Sequence, residues 1–253
     1  MNICLFSKDE IQSSRPFLSF DDKRGEHILK VLKKKQGDSF TAGITGGASG
    51  EACIIGIDDA ARKIFFNFTP TGDGKPLNPL KMIVGFVRPI QLRRLLRDVA
   101  ALGVSELHLT GTELGEKSYM QSDLAQPEKV RELLLEGTVQ AGSTHVPEVF
   151  IHKTLAECLE ALRSLSLSKG TKDQSPITRI CLDNINPACS LSDVTGQDVI
   201  AAIGSERGWT DRERKLFEDA GFIRCGMGDR IMRTETAVTV AGAIILNTMG
   251  VLK

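Results

Sequence analysis

The sequence of 253 residues lacks the features that would assign it to several broad classes of protein. Its 32 basic residues balance 32 acidic ones, so any surface that binds nucleic acid has to be a local patch. The longest apolar stretch, Ala237–Leu246, is too short and too interrupted to span a membrane. The N-terminus has no basic segment followed by an apolar one, as a secretory signal would have. We therefore expect a cytoplasmic protein that does not enter a membrane.

Metal-binding and disulfide patterns are also missing. The six cysteines form no CxxC pair and no regular framework, which favours reduced, mostly buried thiols. His27, His145 and His152 are too scattered along the chain to suggest a metal site, and we predict no metal ion. His108 falls in or beside a predicted strand, where a structural role is the simpler interpretation.

The chain divides into two predicted domains, residues 1–72 and residues 73–253. In the first, short strands and turns with one helix near Glu26–Lys34 predict a small β-barrel. The segment Pro70–Pro76 combines proline, glycine and charge and is the predicted linker. The strands predicted before it are Ser39–Ile44, Glu51–Ile57 and Lys63–Phe68.

From Lys81 onward, predicted strands and helices alternate, which indicates a mostly parallel sheet covered by helices. The predicted strands are Met82–Val87, Glu106–Leu109, Val149–Ile151, Arg179–Leu182, Val199–Ile203 and Phe222–Met227. The predicted helices are Gln91–Leu102, Pro127–Val139, Thr154–Leu162, one from Thr210 to near Gly221, and Thr236–Met249. The polar stretch Ser164–Ser175 is predicted to be a loop.

A glycine-bearing loop, Gly204–Gly208, follows the apolar strand Val199–Ile203; we call it the first loop. A capping box at Thr210–Glu213 then starts a helix. Glycines at a strand-to-helix turn allow positive φ and let backbone N–H groups approach a ligand. A tight turn with nothing bound is the alternative explanation for this segment alone.

A second polar loop, Met227–Arg233, precedes the last helix; we call it the second loop. It brings Arg230 and Arg233 close to Glu235, although a helix start needs only one cap. An ion-pair network is the structural alternative. Two such loops after strands of one parallel sheet indicate a ligand crevice at the carboxyl ends of the strands.

The two loops together resemble the signature loops of the SPOUT methyltransferases that modify N3 of a uridine in 16S ribosomal RNA. The matching residues are Ile203-Gly204-Ser205-Glu206-Arg207-Gly208 and Gly228-Asp229-Arg230-Ile231-Met232-Arg233-Thr234-Glu235-Thr236-Ala237. The resemblance covers essentially the whole chain. Weaker matches lie at Arg15-Pro16-Phe17, His27–Leu32 with Gly37-Asp38, and Glu116-Lys117-Ser118. The family usually has proline where Ser205 stands and glycine where Arg207 stands.

The resemblance implies a PUA-like β-barrel followed by a SPOUT-type α/β domain with a C-terminal trefoil knot. It also implies S-adenosylmethionine as cofactor, a homodimer, and ribosomal RNA or the small ribosomal subunit as partner. The two loops would belong to the knot and wrap the cofactor largely with backbone groups. The implied cofactor-binding residues are Leu182, Ile203, Gly204, Ser205, Glu206, Gly208, Met227, Gly228, Ile231, Met232 and Arg233.

The chemistry of uridine N3 suggests roles for the charged residues. Methylation needs an exposed base, loss of the imide proton and in-line approach of the methyl group. A cation near O2 and O4 would stabilise the developing anion, and Arg233 is the first candidate, with Arg230 second. Glu235 or Glu206 is the candidate proton acceptor. A structural pair between Arg233 and Glu235 is an almost equal alternative. No convincing nucleophile is present, so a covalent intermediate is not expected.

Basic residues cluster in two places that RNA phosphates would favour. Arg88, Arg93, Arg94 and Arg97 surround the start of the first helix of the second domain. A second cluster, around His27 and Lys30, lies in the first domain, and ordinary surface charge is the alternative for both. The predicted RNA-binding residues are Arg15, His27, Lys30, Arg88, Arg93, Arg94 and Arg97.

The sequence thus predicts an S-adenosylmethionine-dependent methyltransferase acting on N3 of a uridine in 16S ribosomal RNA. Two alternatives stay open. One is a SPOUT methyltransferase acting at another RNA position, such as a ribose 2′-hydroxyl. The other is a non-catalytic RNA-binding factor in ribosome assembly.

Overall fold

The computed structural model describes residues 2–168 and 176–252. The chain forms two compact units. The first comprises Met1–Leu77 and Leu135–Val146, and the second comprises Asn78–Leu134 and Pro147–Lys253. Among the described residues, no helix has both the length and the apolar character needed to cross a membrane.

The first unit is built on a five-stranded sheet in the order β1-β3-β4-β5-β2. Strand β1 is parallel to β3, and the remaining neighbours are antiparallel. Buried aromatic and aliphatic side chains, including Phe6, Phe66 and Ile28, form its core. The strands are β1 (Cys4–Phe6), β2 (Phe17–Ser19), β3 (Ser39–Ile44), β4 (Ser49–Asp58) and β5 (Lys63–Gly72). The helices are α1 (Lys8–Gln12) and α2 (Lys23–Glu26), followed by a π-helical turn at His27–Val31.

Two predictions for this unit are wrong in part. The helix expected at Glu26–Lys34 starts earlier and ends at Val31, because Lys33 takes a positive φ of 51° that cannot continue a helix. The predicted linker begins too early, since β5 continues to Gly72. A register shift beside Gly50 accommodates Pro70, which has no N–H to donate to the ladder.

The second unit contains a parallel sheet of seven strands in the order β10-β12-β9-β11-β6-β7-β8. The strands are β6 (Asn78–Gly85), β7 (Val104–Thr110), β8 (Glu148–His152), β9 (Thr178–Leu182), β10 (Cys189–Ser190), β11 (Val199–Ile203) and β12 (Ile223–Gly226). The helices are α3 (Pro89–Ala101), α5 (Leu155–Ser168), α6 (Asp211–Asp219) and α7 (Thr234–Thr248). Helix α4 (Pro127–Ala141) begins in this unit, and its residues from Leu135 onward belong to the first unit. Short 3-10 turns occur at Lys117–Gln121, Asp123–Ala125 and Leu191–Asp193.

The alternating strands and helices predicted for this part are confirmed, with shifted ends. Helix α3 buries a stripe of Leu92, Leu95, Leu96 and Val99 and ends at Ala101, two residues before Gly103, whose φ is +67°. The loop expected at Ser164–Ser175 is wrong for its first residues, since α5 continues to Ser168. Residues 169–175 lie outside the described part. Strand β10 was not predicted, because a strand of two residues is too short to show the alternation of apolar and polar side chains.

The strand order creates a switch point at the centre of this sheet. The chain lays down β6, β7 and β8 in one direction, then returns to β9 on the other side of β6, and β11 fills the place between them. Ile203 at the end of β11 pairs with Val84 near the end of β6. Ligands of open α/β sheets bind outside the carboxyl ends of the strands at such a point.

A buried polar network spans β6, β7 and β8. Nδ1 of His108 lies 3.0 Å from Nε2 of His152, and Nε2 of His108 lies 3.4 Å from Glu106, which pairs with Lys81 at 2.7 Å. Scattered in sequence, His108 and His152 become neighbours because β7 and β8 are adjacent. Their ring nitrogens and the thiol of Cys158 lie within 4.8 Å of one another. The fully buried His108 therefore has a structural place in the sheet.

Because of Glu106, the free energy of unfolding should decrease at acid pH. The hydrogen bond from His108, helped by Lys81, lowers the pKa of Glu106 to about 2, against the effect of burial. Its unfolded pKa is about 4.3, so the stabilisation is complete above that pH and is lost as pH falls through the folded value. We expect Glu106→Gln to lower the free energy of unfolding at pH 7 by on the order of 3 kcal/mol.

Denaturant unfolding between pH 2 and 7 measures this effect. The matched control is Glu148→Gln, because Glu148 is exposed on the adjacent strand. If Glu106→Gln keeps the wild-type slope against pH, Glu106 is not the group responsible.

Candidate functional site

The first loop packs backbone to backbone against the end of β6. The N–H of Gly208 donates to the carbonyl of Ser205 at 2.9 Å, and Gly208 has a φ of +69°. A Cβ on Gly204 would lie 2.9 Å from the Cα of Gly208. A Cβ on Gly85 would lie 2.5 Å from the N atom of Ser205. The positive φ expected in this glycine loop is present, and larger residues would displace it.

Ser205 is fixed by a bond that sequence reasoning missed. This side chain is only 5% exposed, and the Thr112 hydroxyl donates to its hydroxyl at 2.9 Å. Thr112 follows β7, two strands away from β11 in the sheet. Where the resembled family usually has the rigid ring of proline, this chain therefore has a hydrogen bond to a neighbouring loop.

A double-mutant cycle should detect this bond. Ser205→Ala and Thr112→Val each leave one hydroxyl without its partner, so each should destabilise the fold by about 1 kcal/mol or more. The double variant should lose less than the sum, with a coupling of about 0.5–1.5 kcal/mol. Denaturant unfolding of the four proteins gives the coupling. Strict additivity would mean that the two hydroxyls do not interact.

Glu213 ties helix α6 to the loop after β7. The predicted capping box at Thr210 and Glu213 is confirmed, with both reciprocal hydrogen bonds formed. The other oxygen of the buried Glu213 accepts the N–H of Glu113 at 2.9 Å, while the Thr210 hydroxyl donates to Glu113 at 2.6 Å. Helix α6, which follows the first loop, is thus bonded to the loop after β7 through both Glu213 and Thr210.

The residue that directly follows the second loop is joined to the first loop by a buried hydrogen bond. The Thr234 hydroxyl, at the start of α7, donates to the carbonyl of Gly204 at 3.1 Å. Gly228 has a φ of +93°, and a Cβ placed there would meet no atom of the described residues within 4 Å. The two segments expected to share one crevice are therefore brought together by the fold.

The end of β9 lies beside the first loop. The Leu182 carbonyl accepts a hydrogen bond from the indole of Trp209 at 3.1 Å. Trp209 is buried and packs edge-on against Phe217, so packing explains its position. Asp183, not identified from the sequence, accepts bonds from Arg214 Nε at 2.6 Å and from the Ile185 N–H at 3.0 Å. An aspartate directly after an apolar strand was the available signal.

Two of the candidate catalytic residues, Arg230 and Arg233, lie in the second loop, and the third, Glu235, lies two residues after it. Arg233 is the N-cap residue of α7, and its side chain makes no capping bond. Arg230 and Arg233 are exposed, and Glu235 is half-buried. Within the described part of the chain, these three side chains form no ion pair, so the alternative pairing of Arg233 with Glu235 is absent. Glu206, in the first loop, accepts the Arg88 N–H at 3.2 Å.

The predicted RNA-binding residues fall in both units. In the second unit, Arg93, Arg94 and Arg97 are exposed on α3, and Arg88 donates to the Tyr119 hydroxyl at 3.2 Å. The first unit contains the other three. Arg15 lies over the ring of Phe65 at 3.9 Å, Lys30 pairs with Glu26 at 2.9 Å, and His27 is half-buried.

The fold and the joined loops define an α/β protein with a parallel sheet, a class in which ligands bind outside the carboxyl ends of the strands. The chain belongs to the RNA methyltransferase family, since the profile of its RNA methyltransferase domain matches residues 74–246. This confirms the family expected from the sequence.

Full-length relatives agree with this assignment. The chain is 41% identical to the ribosomal RNA small subunit methyltransferase E of Treponema pallidum, over 97% of this chain and 91% of the relative. It is 30% identical to the ribosomal RNA small subunit methyltransferase E 1 of Borreliella burgdorferi, over 97% of both chains.

Solved structures share the fold. The ribosomal RNA small subunit methyltransferase E of Neisseria gonorrhoeae, bound to S-adenosyl methionine, superposes with a TM-score of 0.74 at 23% identity, covering 98% of this chain and 97% of its own. A probable rRNA-methyltransferase of Porphyromonas gingivalis gives 0.75 at 19% identity, covering 100% of both chains.

Proposed function

We propose that this protein is an S-adenosylmethionine-dependent methyltransferase that acts on N3 of a uridine in 16S ribosomal RNA. The observation that carries the proposal is the 41% identity, over nearly the whole chain, to a ribosomal RNA small subunit methyltransferase E. The relative solved with S-adenosyl methionine supports the choice of cofactor. The uridine N3 position rests on the resemblance of the two loops.

The loops fit the proposed cofactor. Gly208 and Gly228 have positive φ, and no atom of residues 2–168 or 176–252 lies within 4 Å of a Cβ built on either, which leaves the backbone there open to a ligand. Such surfaces let a ligand approach backbone N–H and carbonyl groups closely. The cofactor would be held by Leu182, Ile203, Gly204, Ser205, Glu206, Gly208, Met227, Gly228, Ile231, Met232 and Arg233. When bound, it would supply an electrophilic methyl group on a sulfonium.

The side chains around the second loop would act on the base. We assign Arg233, with Arg230 as second candidate, to the negative charge that develops on O2 and O4. Both guanidinium groups are exposed and unpaired within the described residues, so they are available to a substrate. Glu235 or Glu206 would accept the N3 proton. The hydrogen bond from Arg88 N–H holds Glu206 at the first loop.

We further propose the domain roles that the resemblance implies. Residues 1–72 would be a PUA-like RNA-binding barrel, and residues 73–253 the methyltransferase domain with a trefoil knot. The five-stranded sheet of the first unit and the bond between the first loop and Thr234 support these roles. We also propose a homodimer that works in the cytoplasm.

Mapping the modified nucleotide tests the function. Ribosomal RNA from cells with and without the gene is digested and analysed by mass spectrometry. The expected result is one N3-methyluridine in 16S ribosomal RNA that disappears with the gene and returns with the wild-type gene. A lost methyl on a ribose would support the 2′-hydroxyl alternative. An unchanged methylation pattern, with no cofactor binding by calorimetry, would support a non-catalytic assembly factor.

RNA binding by a protein without net charge should depend on local patches. Removing Arg93 and Arg97 together should weaken RNA affinity and flatten its dependence on salt by roughly one to two units, since each phosphate contact releases counterions. Affinities for the wild type and the double variant are measured at several salt concentrations. Cofactor affinity, the control, should stay unchanged. If the affinity of the variant for RNA depends on salt as steeply as that of the wild type, the exposed face of α3 does not contact RNA.

A further inference from the structure

A large cavity of about 890 Å³ opens in the second unit beyond the ends of β6, β7 and β8. Its apolar lining comes from the buried Phe86 and Leu155 and the half-buried Met120 and Leu216. The volume lies within the usual range for ligand pockets. None of the residues that we assign to the cofactor lines this cavity, so the cofactor does not account for it.

The charged groups of the lining are three acids, two unpaired lysines and Arg212, which pairs with Glu113 at 3.3 Å. The carboxylates of Glu113, Glu116 and Glu213 all accept hydrogen bonds from nearby protein groups. Lys117 and Lys153 are exposed, and within the described residues their ammonium groups have no hydrogen-bond or ion-pair partner. The cavity therefore offers two free positive charges beside an apolar surface.

The cavity borders the first loop. Thr112 lines the cavity and donates its hydroxyl to Ser205. Phe86, also in the lining, directly follows Gly85, whose Cα packs against the backbone of Ser205. A group bound in the cavity therefore lies next to the loop proposed to hold the cofactor.

We propose that this cavity receives one nucleotide of the RNA substrate, with the base against the apolar lining and its phosphate at Lys117 and Lys153. This inference rests on the proposed function. An enzyme that modifies a base must take it out of its stack, and the extruded nucleotide needs an apolar surface for its base and a cation for its phosphate. An isolated inorganic anion would not need the apolar lining, and an apolar ligand would not need the lysines.

A side chain that fills the cavity tests the proposal. Ala156 is exposed in the first turn of α5 and lines the cavity, so Ala156→Trp should occupy it. Glu160→Trp is the matched control, because Glu160 is exposed one turn further along the same helix and is not in the lining. Affinity for small ribosomal subunits from gene-deleted cells should fall about tenfold in Ala156→Trp and stay unchanged in the control.

A second variant tests the proposal even if Ala156→Trp fails to fold. Lys117→Ala with Lys153→Ala changes only exposed side chains and should weaken subunit binding while lowering its salt slope by about one to two units. Cofactor affinity, measured by calorimetry, should match the wild type in every variant. Wild-type subunit affinity in both cavity variants would overturn the proposal.

Two further results separate this proposal from its rivals. If the wild type binds subunits in the expected way but transfers no methyl group, the proposed function fails while the cavity inference stands. If uridine monophosphate binds the wild type and not Ala156→Trp, yet subunit affinity is the same for both, the cavity takes a free nucleotide and the RNA assignment is wrong.

Discussion

Gly228→Val is expected to abolish binding of S-adenosylmethionine while the chain still folds. Gly228 has a φ of +93°, a conformation that β-branched residues essentially never adopt. Valine must therefore move the second loop, and its side chain would fill the open space over the backbone that we assign to the cofactor. We expect the dissociation constant to rise at least about a hundredfold, which corresponds to about 3 kcal/mol.

Isothermal titration calorimetry measures this loss, and Gly221→Val is its matched control. Gly221 follows the C-cap of helix α6 with a φ of +78°, and a Cβ there also meets no atom within 4 Å in the part of the chain that the structure describes. The control should lose stability through the same kind of backbone strain and keep its cofactor affinity. Equal cofactor affinities for the folded Gly228→Val variant and the wild type would place the cofactor elsewhere.

Arg233→Ala should slow methyl transfer far more than it weakens cofactor binding. The proposed contact of Arg233 is with charge that appears only in the transition state, so its loss should lower the single-turnover rate by about 10²–10³. The cofactor dissociation constant should change by less than about threefold, because the second loop is proposed to hold the cofactor largely through backbone groups, which the substitution keeps. Rapid-quench measurement with saturating enzyme and labelled cofactor gives the rate directly.

Charge and position can be separated with two further variants. Arg233→Lys keeps the positive charge and should recover part of the rate, while Arg230→Ala should cost less than Arg233→Ala. Because Arg233 has no ion-pair partner in the described structure, its replacement should barely change the thermal midpoint of unfolding. A near wild-type single-turnover rate in Arg233→Ala would remove it from the catalytic group.

The family could be identified from short segments because its distinguishing residues are consecutive. The residues of the first loop and those from Gly228 to Ala237 lie in uninterrupted runs, and the strands and helices around them follow from local patterns, although α7 starts two residues before the predicted Thr236. The sequence also suggested Arg230, Arg233 and Glu235 as charges crowded at one helix start. Their roles, like the cofactor contacts, are still predictions for the experiments above.

Other parts of the site were not predictable, as the cavity beyond β6, β7 and β8 illustrates. Its lining combines residues from loops after three strands and from the starts of α5 and α6. Each of those residues has an ordinary local context. Whether they come together depends on which strands lie side by side in the sheet. The sequence pattern of apolar residues in a strand does not reveal its neighbour, so the cavity could not be predicted.

The sequence by itself determined the local elements: the buried stripe of α3, the capping box that starts α6, and the apolar run of β11. Their signals come from residues within a few positions of one another, where helix and strand periods act directly. Only the tertiary structure decided that Thr112 would bond to Ser205, Glu113 to Glu213, and His108 to His152. These partners are 93, 100 and 44 residues apart. The strand order brings them together, because packing of the complete sheet, and no local propensity, sets which strands lie side by side.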